Sequence, residues 1–164
     1  MPFRFDHSKG SPVLLKAVKL DLTLSADDAD AAGVYTATIA IPAATIITDV
    51  GVHAVALWNA GTSATLNVGD ADTDGIFAAF DMKATDLLAG EGITLYNAGG
   101  KGGADVSATH WNAGYLSTAR NITFVLTTVG TAPTTGETIC WVQYAATDND
   151  GGTLWIEHGT YLVT

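Results

Sequence analysis

Asp70, Asp72 and Asp74 stand at alternate positions, Gly75 follows, and Asp81 closes a twelve-residue frame in GDADTDGIFAAFD (69–81). That spacing nearly matches the D-x-[DN]-x-[DN]-G-x5-E loop, in which carboxylates and one backbone carbonyl wrap a calcium ion. The frame ends in Asp where a longer Glu would bind bidentately. The segment leading in, TSATLNVG, reads as a strand, so the helix-loop-helix form of the site is excluded. A calcium ion held by Asp70, Asp72, Asp74 and Asp81 in another kind of loop stays open beside a plainer reading. In the plainer reading the aspartates cap a following helical turn, where free N–H groups and the helix dipole favour carboxylates.

Other reactive residue types are poorly placed for chemistry. His7, His53, His110 and His158 lie far apart, without the H-x-H or HExxH spacing of a zinc site. Cys140 is the only cysteine and sits in the apolar run ICWV, where burial raises a thiol pKa and weakens it as a nucleophile. GGKGG (99–103) lacks the Ser or Thr that follows the lysine of a phosphate loop and reads as a loop tip. The 14 Asp against 3 Glu concentrate in turn-forming stretches such as SADDADAAG and TDNDGG. No catalytic set emerges, and a hydrolase on this scaffold has no nucleophile or metal set to support it.

The elements that would position these residues have period two. VYTATIAIP (34–42), TIITDVGVHAVALW (45–58), TSATLNVGD (62–70), GITLYN (92–97), NITFVLTTV (121–129), ETICWVQYAAT (137–147) and TLWIEHGTYLVT (153–164) read as strands. IFAAFDMKATDLLAG (76–90) carries the apolar spacing of a short helix ended by Gly90. The chain is therefore expected to be all-β, a β-sandwich or jelly roll of short antiparallel strands with at most one short helix. Residues 21–164 form its single domain.

Charge is placed unevenly. The net charge of −10 divides into +3 over residues 1–20 (Arg4, Lys9, Lys16 and Lys19 against Asp6) and −13 over the rest. Such a body is not expected to bind nucleic acid. Lys16 and Lys19 interrupt the one apolar stretch that a signal peptide would need, and no apolar run approaches a membrane-spanning length. Residues 1–20 read as an extended arm that meets an acidic neighbour or another subunit through Phe3, Arg4, Phe5, Lys9, Lys16 and Lys19. With 48% hydrophobic and only 15% charged residues, part of the surface is expected to be covered by other copies, as a homo-oligomer and most simply a trimer.

Three turns repeat an aromatic before Asn-Ala-Gly, at Trp58, Tyr96 and Trp111. Asn and Gly tolerate left-handed backbone angles, so strand-end turns select them one at a time. Exposed and coplanar, the three aromatics would make a sugar-stacking platform; otherwise they fill a core or a subunit contact.

The stretches IAIPAATIITDVGVHAVALWN, LNVGDADTDGIFAA and APTTGETICWVQYA, taken together, resemble small tailed-bacteriophage virion proteins over residues 34–145. In that type an I-P-A-x-T-x-I-T-D-V strand pair leads to a V-G-D-x-D-x-D-G turn, and a T-x-G-E strand follows. The resemblance implies a head decoration, or cement, protein. Such a protein is non-enzymatic, assembled in the host cytoplasm, and bound as a homo-oligomer to the major capsid protein on the capsid exterior. The alternative is a receptor- or carbohydrate-binding module of a phage tail or fibre.

Overall fold

The computed structural model describes residues 15–106 and 114–147. Among these residues nine strands run in chain order as β1 (Leu15–Ser25), β2 (Val34–Ile41), β3 (Thr45–Ala56), β4 (Ser63–Gly69), β5 (Phe77–Asp81), β6 (Gly92–Thr94), β7 (Tyr115–Leu116), β8 (Arg120–Val129) and β9 (Glu137–Thr147). They make two antiparallel sheets. One has the order β1-β9-β3-β6, with β7 also on β3; the other has the order β2-β8-β4-β5. The expected sandwich is the observed architecture, and no helix among the described residues is long and apolar enough to cross a membrane.

Alternation produces the core directly. Tyr35, Ala37, Ile39 and Ile41 of β2 are buried while Thr36, Thr38 and Ala40 face out. Ala64, Leu66 and Val68 of β4 and Ile122, Phe124 and Leu126 of β8 fill the same layer. Val50, Val52 and Ala54 of β3, with Cys140 and Val142 of β9, close it from the other sheet. Each face hides one residue in two, so the 3.4 Å rise of a strand sets the spacing of the core.

Two segments differ from the reading of the sequence. The stretch 76–90 holds no helix: Phe77–Asp81 is a strand on the edge of the second sheet, and a series of turns follows. Ala79 sits at φ 54° and its N–H is taken by Asn67 Oδ1 at 2.8 Å, in a bulge where the β4–β5 register shifts. The extra residue puts Phe77 and Phe80 on one side, three apart, with ring centroids 5.8 Å apart. That spacing imitates a helical turn. Gly90, expected to end a helix, turns at φ 88° and donates to Ala54 O.

The second difference concerns the arm. Residues 15–20 are the first half of β1, which pairs with β9 along its whole length, so the lysines at 16 and 19 belong to a sheet strand. Leu20, Leu22 and Leu24 alternate across from Val142, Cys140 and Thr138, and it is this match that draws the segment into the sheet. Residues 1–14 and the expected strand at 153–164 lie outside the described residues.

Candidate functional site

The aspartate frame occupies one corner where three close backbone approaches meet. A Cβ on Gly69, the last residue of β4, would lie 1.7 Å from Asp72 O, so the chain turns there only because the side chain is absent. Within the turn, Ala71 N donates to Asp70 Oδ1 at 2.6 Å, Gly75 N to Asp72 O at 3.1 Å, and Ile76 N back to Val68 O at 2.9 Å. A second segment crosses beneath it, with Gly103 N donating to Ile76 O and Asp105 N to Gly75 O, each at 2.8 Å. This crossing brings Asp105, which no sequence motif singles out, against the loop.

Arg120, at the start of β8, anchors the corner. Its Nη1 reaches Asp70 Oδ2 at 3.4 Å and its Nη2 donates to Gly114 O at 3.0 Å, with the side chain only 7% exposed. Among the described residues its buried Nε finds no acceptor. Burial lowers the guanidinium pKa, and the charges of Asp70 and Asp105 work in the opposite direction. Arg120 is thus paired with Asp70 and within reach of the Asp105 charge, while Asp72 and Asp74 lie in the same loop.

Their titration reflects that crowding. Hydrogen bonding to the Asp72 carboxyl and repulsion from its charge push Asp74 above the ordinary carboxylate value of 3.8. Burial, then the charges of Asp70 and Asp72, push Asp105 up as well, against the pull of Arg120. A carboxyl whose pKa is raised by folding favours the fold while protonated, and that contribution disappears as pH rises through the folded value. We therefore expect Asp74→Asn to raise the melting temperature at pH 7 and to have little effect below pH 4. Thermal melts of both proteins across that range check it; a loss at pH 7 would show the charge to be needed.

Asp81 does not close this frame. It ends β5, where its carboxylate accepts from Lys83 N at 2.7 Å and its own N–H donates to Asp86 Oδ2 at 2.7 Å. Among the described residues no three His, Cys, Asp or Glu side chains converge as a metal site requires. The helix-capping reading gives way, because the segment that follows is a strand and Asp70 holds a turn N–H group instead.

The aromatic turns separate by environment. Trp58 is 1% exposed, so it is a core residue and not a stacking platform. The reason lies in its partners: Nε1 donates to the buried Thr138 Oγ1 at 2.9 Å, and Tyr35 packs edge-on at 4.7 Å. Tyr96 is 83% exposed, with its hydroxyl 3.3 Å from Thr48 O. Trp111 lies outside the described residues, as do Phe3, Arg4, Phe5 and Lys9. Asn59 explains its turn, accepting from Thr134 N and Thr135 N at 2.8 and 3.1 Å.

The remaining candidates are structural. Cys140 is buried, and that burial drives its thiol pKa far upward, as its apolar flanks imply. Lys101 of GGKGG pairs with Asp86 at 3.0 Å and donates to Ala79 O at 2.8 Å, so the lysine braces a turn rather than a phosphate. Apolar exposure is scattered over Leu22, Val55, Leu88, Tyr96, Tyr115, Leu116 and Val129. Tyr115 and Leu116, on the short strand β7, were not marked by any sequence pattern.

No protein-family model and no curated protein sequence matches the chain. Two solved structures align with the chain. A chain of the capsid of Ralstonia phage GP4 aligns with TM-score 0.46 and 19% identity, over 92% of each chain. A chain of the acidic stable capsid structure of Helicobacter pylori bacteriophage KHP30 aligns with TM-score 0.52 and 15% identity, over 79% of this chain and 86% of that one, and with this second chain the likeness is one of fold.

Proposed function

We propose that the chain is a non-enzymatic structural protein of a phage virion that decorates and stabilises the capsid shell. The observation that carries this reading is the shared sandwich with a chain from a phage capsid structure, which extends over most of both chains. It is supported by the sequence motifs of residues 34–145 and by the apolar residues left on the surface of a body with few charges. On this reading the chain binds the major capsid protein from outside, as a homo-oligomer, and its chemistry is burial of apolar area between subunits and against the shell.

Electron cryo-microscopy of particles assembled with and without the protein tests the proposal. Density fitting the sandwich should appear at regular positions on the outer shell, and particles lacking the protein should lose their contents at lower temperature. Density confined to the tail or its fibres would overturn the reading in favour of a receptor-binding module.

A further inference from the structure

Residues 98–106 run beside β5, the last strand of its sheet, and stand where a further strand would pair. Gly102 makes an antiparallel bridge with Phe77, and Gly103 N donates to Ile76 O at 2.8 Å. Lys101 Nζ donates to Ala79 O, also at 2.8 Å. An uncovered edge offers a ladder to other chains, and this segment blunts it.

The segment is pinned at its ends and not between them. Ala98 belongs to the core, and Val106 packs against it. None of the seven residues from Gly99 to Asp105 is buried, and GGKGGAD has no apolar side chain larger than the methyl of Ala104. Backbone hydrogen bonds and one lysine hold it down. Asp105 N donates to Gly75 O, and Lys101 Nζ reaches Asp86 Oδ2 at 3.0 Å, the same oxygen that accepts from Asp81 N. The turns after β5 are fastened differently, by the buried side chains of Met82 and Leu87.

A stretch that buries little apolar surface opens at a lower free energy than the whole fold. Gly99 and Gly100 allow such an opening. Gly99 sits at φ 61°, and a Cβ on either residue would meet nothing within 4 Å, so the backbone can turn there without a clash.

We propose that residues 99–105 are a strap that opens and closes as one unit over the β5 edge, with Gly99 and Gly100 as its hinge and Lys101 as its latch. Closed, the strap occupies the carbonyls of Gly75, Ile76 and Ala79. Open, it frees them for an added strand while the sandwich stays folded. The device needs neither a shell nor a second copy, so it stands apart from the proposed function.

Native-state hydrogen exchange of the full-length chain over a series of low urea concentrations tests the strap. The amides of Lys101, Gly103, Asp105 and Val106 should exchange together, on the order of a hundredfold faster than those of β8. Their rates should stay flat in urea while the β8 amides accelerate. Lys101→Met should speed these four on the order of tenfold and leave β8 and β9 unchanged. Lys101→Arg keeps the charge and the donors and should return them to within about threefold of the natural protein. In the unaltered chain, trypsin should cut after Lys101 before it cuts after Lys83 or Arg120. Strap amides that follow β8 with the same urea dependence, or a first cut at Lys83 or Arg120, would overturn the strap. A Lys101→Met variant without effect, or Met and Arg variants that behave alike, would overturn the latch.

Discussion

Trp58→Ala should lower the stability of the sandwich by about 3–5 kcal/mol, the range for removing a large aromatic from a core. Three losses combine at this site. The ring leaves a void beside Tyr35, whose centroid lies 4.7 Å away. The buried Thr138 hydroxyl loses the indole N–H that donates to it at 2.9 Å. The Gly136 backbone, whose φ of 154° and close approach (a Cβ there would lie 2.4 Å from the ring) are set by the indole, loses its support. Trp58→Phe keeps part of the packing but not the hydrogen bond, so its loss should be smaller and should shrink further when Thr138→Val is added. Urea unfolding followed by far-ultraviolet circular dichroism measures all three. A Trp58→Ala loss under about 1 kcal/mol would mean that the residue is not packed as described.

Gly103→Ala should cost about 2–4 kcal/mol, because the clash is with backbone that cannot rotate away. A Cβ at residue 103 would stand 2.0 Å from Asp74 O and 2.4 Å from the Gly75 carbonyl. Relief requires separating the two crossing segments, which breaks Gly103 N to Ile76 O and Asp105 N to Gly75 O together. The matched control is Gly100→Ala, where nothing lies within 4 Å, and there the change should stay within about 0.5 kcal/mol. Hydrogen exchange distinguishes a local opening from a global one. In the Gly103 variant the amides of Gly103 and Asp105 should exchange fastest, while those of β8 and β9 follow the whole fold.

The strands were legible where period two was clean. β2, β8 and β9 begin and end within a residue of where alternation placed them, because buried residues alternate in each with less buried ones. β5 was not legible, since a single left-handed Ala79 changes the spacing from two to three and no residue type announces that conformation. β1 was hidden by its charges: Lys16, Lys19 and Asp21 interrupt the leucine row and suggest a solvated arm. The aspartate corner was half legible. Its loop carries a motif, but Asp105 and Arg120 arrive from segments about 35 and 50 residues away; the crossing at Gly75 and Gly103 brings in Asp105, and the pairing of β8 with β4 brings in Arg120. Trp58 and Tyr96 share the same four-residue pattern and have opposite environments, so the pattern specifies a turn and not a face.

The order of the strands also dictates when the protein can form. β8 lies between β2 and β4 in one sheet, and β9 lies between β1 and β3 in the other, although both come last among the described strands. A nascent chain that has emerged only as far as β7 therefore carries both outer flanks of each sheet without the strand that joins them. Neither layer can close during synthesis until its central strand arrives, so folding of the sandwich waits for β8 and β9, with long loops to close. Until β8 and β9 leave the ribosome, β2, β3 and β4 offer unsatisfied ladders to any neighbouring chain. A high rate of synthesis would then set crowding among unfinished chains, rather than the stability of the finished one, as the limit on yield.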